Sequence, residues 1–436
     1  MFASCPACFG EAPQDGGGSH ASSTGSESGS SGDASSEGTG SSSTDPTLGD
    51  GSGDSSGSGC GDDCPEPGTA IWTLVEGGQG NDYAGGVAEV ADGFVVVGSR
   101  ATDGDSLPWT LGVSADGQMR WSESSGVALG PGNLRRVAAI GAWSVAVGQA
   151  RSGDLELGYL EARDGDGVLS WSQSVTEQSY GVLLGVMPLG DGFRAFGLMS
   201  SRPGGGSSNS LLRDYVPTRP GQFEPDPAQV PEQLPAVELF AGQPLGNGLV
   251  VAVGLTRELD PPSAAIMVLD PDGTLHDQVY THSGEGEQVF SSVVVRDDGV
   301  IVAAGHAFGA SGSGGQLLLV RYGLGDDLVL EPLSETSWGD RPFAIANALA
   351  VDGNAVFVGA GVSDAAGASV TYDAAIMRYD GDASDPSWVV PYAQDSPGRD
   401  YVSDLLIASD GTLVACGVYS PDGDDVGDIW VRKLVP

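Results

Sequence analysis

Apolar residues in this chain arrive in short runs bounded by turn residues, and one of these runs recurs. "GFVVVG" reaches Gly98, "WSVAVG" Gly148, "GFRAFG" Gly197, "LVVAVG" Gly254, "VIVAAG" Gly305, "NAVFVG" Gly359 and "TLVACG" Gly417. The successive gaps are 50, 49, 57, 51, 54 and 58 residues. Runs this short, rich in β-branched residues and flanked by Gly and Asp, predict strands that end at the glycine. Five of them follow closely on an Asp-Gly pair: Asp92-Gly93, Asp191-Gly192, Asp298-Gly299, Asp352-Gly353 and Asp410-Gly411. Asp-Gly is a strong hairpin signal because both residues accept positive φ.

Before each of these hairpins lies another strand-like run, often opened by an aromatic residue: Tyr83, Tyr180, Phe290, Phe343 or Tyr401. After the glycine come a variable polar loop and a third run, as in "PWTLGVSADG", "AAIMVLDPDG" and "DIWVRKLVP". A fourth run follows in "QMRWSES" and "VLSWSQS", which hold Trp121 and Trp171 at matching places. Four short antiparallel strands at a period near 50, with no helical periodicity, predict an all-β fold: a single β-propeller, one repeat per blade. The seventh unit lacks its fourth strand. "AIWTLV" (Ala70–Val75) sits ahead of the first unit with Trp72 in the Trp121 position, and it is expected to complete the last blade and close a ring of seven. The third unit runs into the Pro-rich "PTRPGQFEPDPAQVPEQLP", which leaves six or eight blades open.

Residues 1–67 do not share the pattern. From Gly16 to Gly61 the text is mostly Gly, Ser, Thr, Asp and Glu, with Leu48 the one aliphatic residue larger than Ala. Such a segment cannot bury enough apolar surface to offset the entropy of ordering it, so a disordered tail and linker precede a folded domain at 68–436. The tail takes 11 of the 59 acidic residues and none of the 18 basic ones. The domain thus keeps 48 acidic against 18 basic residues, which argues against nucleic acid or anionic lipid as a partner. Lys433 is the single lysine and has no Gly-rich loop around it, against Schiff-base and P-loop chemistry.

Cys60 and Cys64 at the linker's end suit a local disulfide of an exported protein, and Cys416 inside "TLVACGV" reads as a small buried hydrophobe. Of the histidines, His20 lies in the tail, while His276, His282 and His306 lack metal-ligand spacing. The acidic loops "TDGDS", "RDGDGV" and "SPDGDDVGD" gather carboxylates, with Asp422, Asp424, Asp425 and Asp428 able to serve a calcium ion. Their Asp and Gly are also what turns require. No cofactor is expected. No apolar run approaches the length of a membrane-spanning helix. In a propeller the first strands line the central channel. Asp82, Tyr83, Tyr180, Phe290, Phe343, Asp400 and Tyr401 therefore form the candidate ligand-binding set, with Asp82-Tyr83 and Asp400-Tyr401 neighbours across the closure. Packing between blades is the competing role for these aromatics.

Two resemblances add to this reading. The unit "DDGVIVAAGHAFGASGSGGQLLLVRYGLGDD" resembles the bacterial delta-60 repeat, with its DG turn, aliphatic strand, polar loop and R-Y ending; "AAIMRYDGD" and the last unit follow it more loosely. The resemblance implies a secreted or surface propeller and carries no catalytic residues. "MFASC" followed by a Ser/Gly linker is similar to the cleavage end of a bacterial lipoprotein signal, with Cys5 the lipidated residue and Cys8 the fallback. The basic and apolar parts of such a signal are then expected upstream of Met1. The expectation is a monomeric, noncatalytic propeller, secreted or held on a bacterial outer membrane by a lipid anchor, binding a protein or glycan. The alternatives are a secreted polysaccharide-acting enzyme using carboxylates in the central funnel, and an intracellular interaction propeller with reduced cysteines.

Overall fold

In the computed structural model the described residues are 65–436, apart from 79, 103–104, 126–129, 177–179, 201–208, 228–233, 235, 282–285, 310–314, 339–342, 364–371, 393–397 and 421–426. Cys5, Cys8, His20, Cys60, Cys64 and His282 lie outside them, as do Asp422, Asp424 and Asp425. Glu66–Pro436 forms one compact unit. Among the described residues its regular structure is β throughout, apart from a single 3₁₀ turn at Gly246–Gly248.

Strand β1 spans Ala70–Glu76. The first run of four follows as β2 (Tyr83–Val90), β3 (Gly93–Thr102), β4 (Asp105–Ser114) and β5 (Met119–Ser124). Next come β6 (Gly132–Ile140), β7 (Trp143–Ser152), β8 (Leu155–Arg163) and β9 (Leu169–Val175). The Pro-rich region does not break the pattern: β10 (Tyr180–Leu189), β11 (Gly192–Ser200), β12 (Asn209–Arg219) and a short β13 (Gln222–Pro225) form a third run. Then follow β14 (Val237–Pro244), β15 (Val250–Thr256), β16 (Ser263–Leu269) and β17 (Leu275–Tyr280). After them stand β18 (Gln288–Val295), β19 (Ile301–Phe308), β20 (Gly315–Leu324) and β21 (Leu330–Trp338). The sixth run is β22 (Phe343–Asp352), β23 (Ala355–Ser363), β24 (Asp373–Asp380) and β25 (Trp388–Tyr392). The chain closes with β26 (Tyr401–Ile407), β27 (Leu413–Tyr419) and β28 (Asp428–Leu434).

Hydrogen bonding groups these strands into five four-stranded sheets and one of eight. The eight-stranded sheet joins β6–β9 to β10–β13 through one parallel pair, Tyr180 with Glu156, so these two units are not the separate sheets that the repeat predicts. The incomplete last unit is completed as expected: β1 runs antiparallel to β28, with Thr73 opposite Arg432 and Leu74 opposite Val431. Backbone bonds extend the join on either side, from Gly68 N to Val435 O at 2.7 Å and from Val435 N to Thr69 O at 3.0 Å.

The recurrent glycine has a different meaning from the one its position suggests. Strands do not stop there: β3 continues four residues past Gly98 to Thr102. Each first strand instead carries a one-residue register shift, at Gly85, Arg135, Leu184, Phe240, Ser291, Asn347 and Ser403 in turn. Gly98, Gly148, Gly197, Gly254, Gly305 and Gly417 face these bulges on the second strand. A Cβ at Gly98 would stand 1.7 Å from the Tyr83 carbonyl oxygen, and one at Gly254 1.9 Å from that of Glu238. The bulge pushes a carbonyl against the opposite Cα, and only glycine leaves room for it. Gly359 departs from the rule. It pairs with Ala348 beyond the bulge, and its Cβ would meet Val402 Cγ1, a side chain of the next run, at 2.5 Å.

Two of the Asp-Gly turns work differently from the two-residue hairpin. At Asp298-Gly299 and Asp410-Gly411 only the glycine takes positive φ, at 83° and 79°. It occupies the last place of a four-residue turn: Arg296 N donates to Val300 O at 2.9 Å, and Gly299 N returns to Arg296 O at 2.9 Å. Leu328 fills that place in the Gly325–Val329 turn, at φ 63°, the one positive-φ non-glycine among the described residues.

No sheet has a core of its own. Each apolar cluster draws on two neighbouring runs, for example Val97 with Leu134 and Val137, or Phe357 with Val402 and Trp430. One cluster places Val87, Phe94 and Leu111 of the first run against Cys416, Ile429 and Val431 of the last. The first strands follow the same order, β2 packing against both β6 and β26. The outer tryptophans fasten one run to the next. Trp72 Nε1 donates to Ala115 O at 3.0 Å and Trp121 Nε1 to Gly165 O at 3.1 Å. Each ring covers a glycine, Gly117 or Gly167, where a Cβ would sit 2.6 or 2.5 Å away. Trp171 instead meets Phe193, Tyr215 and Phe223 at their edges, with centroids 5.8 to 6.5 Å apart. Cys416 is fully buried, as expected of a small hydrophobe.

Candidate functional site

Antiparallel pairing fixes which connections share an end of the sheets. The first-to-second and third-to-fourth turns gather at one end, with Gly68 and Val435; the remaining connections gather at the other, where every first strand begins. The candidate aromatics belong to this second, loop end, since Tyr83, Tyr180, Phe343 and Tyr401 each open a first strand.

Not all of them come together. Phe290 is 0 % exposed and meets Tyr322 edge-on at 6.4 Å within the core between β14–β17 and β18–β21. Tyr180 opens β10, where its backbone pairs with Ser200 and Glu156. The other three converge through a residue that the repeat pattern does not mark. Phe343 stacks on Tyr372 with centroids 5.5 Å and planes 17° apart, and Tyr372 meets Tyr401 at 6.4 Å. Tyr83 is close enough to Tyr401 to oppose its ionisation. Burial first, and then Tyr83 and Tyr372, hold the Tyr401 phenol well above its ordinary range. Two cations act the other way on that phenol, Arg135 from β6 and Arg399, whose backbone bridges Tyr372.

Asp82 and Asp400 lie beneath this group, each about 1 % exposed. Their positions in the two runs are equivalent. Asp82 Oδ1 accepts the Ala101 N–H at 2.8 Å, and Asp400 Oδ1 accepts the Ser420 N–H at 2.8 Å. Each carboxylate thus ties the start of a first strand to the far end of the second. Asp400 N donates to Tyr372 O at 2.7 Å, which fixes the tyrosine beside it, while Asp400 Oδ2 has no hydrogen-bond partner. Burial raises both carboxyls, that of Asp400 from 3.8 to about 6.

Deeper along the first strands, the bulges bring polar groups from four runs into one network. Asp404 Oδ2 accepts the Val87 N–H at 3.0 Å. Arg136 donates to Gly85 O and reaches Asn347 O at 3.5 Å, and Asn347 Nδ2 donates to Val402 O at 2.9 Å. Burial raises the Asp404 carboxyl, with Arg136 opposing it. Asp404, like Asp82 and Asp400, is therefore engaged by a backbone amide of another segment.

Among the described residues no three His, Cys, Asp or Glu side chains gather to hold a metal ion. The calcium expectation rests mainly on residues outside the described set; Asp428, which is described, stands close enough to Asp82 to raise it. His276 Nε2 lies 2.7 Å from Asp270 Oδ1, and His306 is fully buried, its imidazole pushed down to about 4 by desolvation.

Sequence reasoning missed Tyr372, Arg135 and Arg399. A usable signal existed for the arginines: "NLRRVAAI" interrupts a first strand with two cations, and "GRDY" puts a third beside a marked aspartate, in a domain short of basic residues. Tyr372 had none, because it precedes a third strand at no recurrent spacing.

No protein-family model matches the chain, and neither does any curated protein. Solved structures show a distant likeness. Sqt1 from Chaetomium thermophilum superposes with a TM-score of 0.47 at 13 % identity, over 85 % of this chain and 99 % of that one. A glucose dehydrogenase gives 0.37 at 14 %, over 65 % and 94 %. An exo-1,5-α-L-arabinanase from a bovine ruminal metagenomic library gives 0.32 at 11 %, over 58 % and 93 %. A likeness of this order says nothing about what this chain binds or does.

Proposed function

We propose that this chain is an exported, noncatalytic β-propeller of seven four-stranded blades, monomeric and closed by β1. In this reading it is tethered to a bacterial surface through residues 1–67 and binds a glycan or protein at its loop end. Seven bulged first strands and apolar clusters shared between successive runs, last with first, support the ring. The pair Tyr180–Glu156 then joins two adjacent blades at one point. The observation that carries the binding role is the group of Tyr83, Tyr372, Tyr401 and Arg399 at the loop end, opposite Gly68. A tether entering at Gly68 leaves that group on the end farther from the attachment point.

The noncatalytic reading draws support from the engaged acids, since Asp82 and Asp404 each accept a backbone amide. One observation favours the rival, a polysaccharide-acting enzyme: Asp400, with one free oxygen and a carboxyl near 6, has the features of a general acid. Reducing ends released from a polysaccharide by the native protein and not by Asp400→Asn would establish that rival. Probing glycan and protein arrays with the native chain and a Tyr83→Ser variant tests the binding role. Capture lost in the variant is expected, and no capture at all would refute the reading. For the tether, the intact mass of protein from its native host is expected to carry a lipid on Cys5 or Cys8. An unmodified Met1 with free thiols would remove the anchor and bring the intracellular scaffold forward.

A further inference from the structure

The outermost strand of each run leaves one edge unpaired among the described residues. Such edges invite pairing with another chain, and proteins commonly guard them with proline or charge. Here β5 carries Arg120, β13 Pro225, β17 Asp277, β21 Pro332 and β25 Pro391. β9 has neither guard and lies against β13 of the next run. β1, "AIWTLVE", has no proline and no charge before its last residue, Glu76. After a slip at Ile71, its pairing with β28 runs unbroken from Trp72 to Glu76, so the edge it leaves open is regular.

The face beside that edge holds an unpaired cation. Thr73 pairs with Arg432 and Val75 with Trp430, and cross-strand partners share one face of a sheet. Trp430 turns to the sixth run, where it meets Tyr392 with centroids 4.8 Å apart. Thr73 and Val75 (42 % exposed) are therefore on that side, whereas Leu74 turns with Val431 to the first run. Arg432 is half-buried, its Cζ 5.0 Å from the Tyr392 ring centroid, and it makes no ion pair or hydrogen bond among the described residues. Its Nε is buried without a partner, while its terminal nitrogens are open to solvent. Acids outnumber bases in this domain by 48 to 18, and none of the described ones is spent on this guanidinium.

We propose that β1 takes an extended segment of a partner protein as an added strand. The segment alternates apolar residues, sets one glutamate on the Thr73 face and carries lysines at its ends. Main-chain hydrogen bonds to the open edge supply affinity, and the alternate side chains supply specificity. An added strand lies about 4.8 Å beyond β1, so its residue opposite Thr73 stands roughly 10 Å from Arg432, Cα to Cα. Glutamate and arginine, reaching toward each other over the small Thr73 side chain, span that gap and join through paired hydrogen bonds. Val75 gives the neighbouring apolar residue a contact. Glu66 and Glu76 stand at either end of β1, and the acidic domain attracts a segment whose ends are basic. Two other occupants fit less well. A second copy pairing β1 with β1 about Thr73 sets Glu76 opposite Ala70 and leaves Arg432 without an acid. The chain's own residues 16–61 lack the alternating apolar pattern. This rim surface is separate from the loop-end group and does not depend on the binding role given there.

The test is calorimetric titration of the full chain with the peptide Lys-Val-Thr-Val-Glu-Val-Thr-Val-Lys, with its Gln-for-Glu analogue, and with an analogue N-methylated along the backbone. The first peptide is expected to bind and to slow amide exchange within Trp72–Glu76, and the N-methylated one not to bind. The Gln analogue should bind about tenfold more weakly, and Arg432→Gln should weaken the first peptide by the same factor while no longer telling the two apart. Should Arg432→Gln fail to fold, the two peptides on the native chain decide. Equal binding of the Glu and Gln peptides would overturn the assignment, as would binding that leaves exchange in β1 unchanged, or no binding at all. A dimer of the chain alone by sedimentation, lost in Val75→Lys, would give the edge to a second copy and overturn it too. None of these results bears on the loop end, which the array experiment tests separately.

Discussion

The two ends of the sheets are built from the same strands and differ in what they do with charge. At the turn end, acids are partnered and exposed. Asp272, Asp298, Asp380 and Asp410 are all held below their ordinary range, by hydrogen bonds from Thr274, Arg296, Ser387 and Lys433 in that order. At the loop end and along the first strands, acids are buried, and Asp82, Glu287, Asp400 and Asp404 are all raised, with desolvation the first cause in each. The turn end also carries the fastenings between neighbours: the Trp72 and Trp121 bonds, Arg194 to Pro271 O, and Arg296 to Gly381 O at 3.0 Å. The loop end has joins of its own, such as Asp400 N to Tyr372 O at 2.7 Å and Gln288 N to Pro262 O at 3.0 Å; what sets it apart is that its acids are kept dry. Sites that recognise ligands are commonly set on a scaffold stabilised elsewhere.

The strongest way to break that contrast is to remove the strand whose start lies at the turn end. Deleting Ala70–Glu76 unpairs β28, exposes Cys416, Ile429 and Val431 of the shared cluster and removes the Trp72 bond to Ala115. An unpaired, apolar β28 edge also invites aggregation. Loss of cooperative unfolding by circular dichroism, with soluble aggregates by light scattering, is the expected result. A variant that unfolds at the native midpoint would mean that β1 is an ornament of the last sheet.

The next contrast sets two kinds of glycine against each other. Gly254 faces a bulge, where a Cβ would strike the Glu238 carbonyl oxygen; Gly411 closes a turn at φ 79° with nothing within 4 Å of its Cβ. Gly254→Ala must displace backbone and should cost roughly 3 kcal/mol or more, as overpacked sites do. Gly411→Ala meets only the strain of a left-handed residue, about 1–2 kcal/mol. Gly359→Ala should fall nearer the second, because a Val402 side chain can move where a carbonyl cannot. Urea denaturation of the three variants gives the order, and equal losses would refute the bulge account.

These glycines also show how far the sequence could be read. Their spacing reveals the repeat and the four-strand unit, and the matching positions of Trp72 and Trp121 locate the strand that pairs with β28. The reason for the glycine was hidden, because a bulge leaves no mark on its own strand: Gly85, Arg135, Leu184, Phe240, Ser291, Asn347 and Ser403 share no side-chain chemistry. The same holds for the site. Tyr83, Phe343 and Tyr401 were visible through their recurrence. Phe290 recurs at the same spacing and is a core residue, and Tyr372 belongs to the aromatic row without recurring. Period identifies what the fold repeats, whereas the aromatic group at the loop end is built from departures that only one part of the fold contains.

The opposite carboxyl shifts predict opposite pH windows for the two ends. Asp400 is raised from 3.8 to about 6, so its protonated form favours the fold; that contribution is complete below about pH 4 and is lost as pH rises through about 6. Asp410 is lowered from 3.8 to about 2, so its contribution is present above about pH 4 and is lost as pH falls through about 2. Asp400→Asn keeps an oxygen for the Ser420 amide. It should leave stability unchanged at pH 4 and raise it at pH 7.5, by up to about 2 kcal/mol for a carboxyl this buried. Asp410→Asn should matter only above about pH 4, weakening the fold slightly at pH 7.5 and not at pH 2. Thermal midpoints of both variants across that range would show it. A stabilisation by Asp400→Asn that is equally large at pH 4 would remove ionisation as its cause.

The smallest effect concerns the fastenings themselves. Trp121→Phe keeps a ring over Gly167 and deletes the bond to Gly165 O, a loss of about 1 kcal/mol for one part-buried hydrogen bond. The equivalent change at Trp72 removes a bond of the same kind, from a strand at the join between the chain's two ends. If the closure is only one more contact between neighbours, the two substitutions cost the same. If the ring holds because its first and last sheets stay paired, Trp72→Phe also lets β1 fray from β28, and amide exchange in Asp428–Leu434 should quicken while that in β5 does not. Equal exchange in both strands would make the closing strand an ordinary member of the ring.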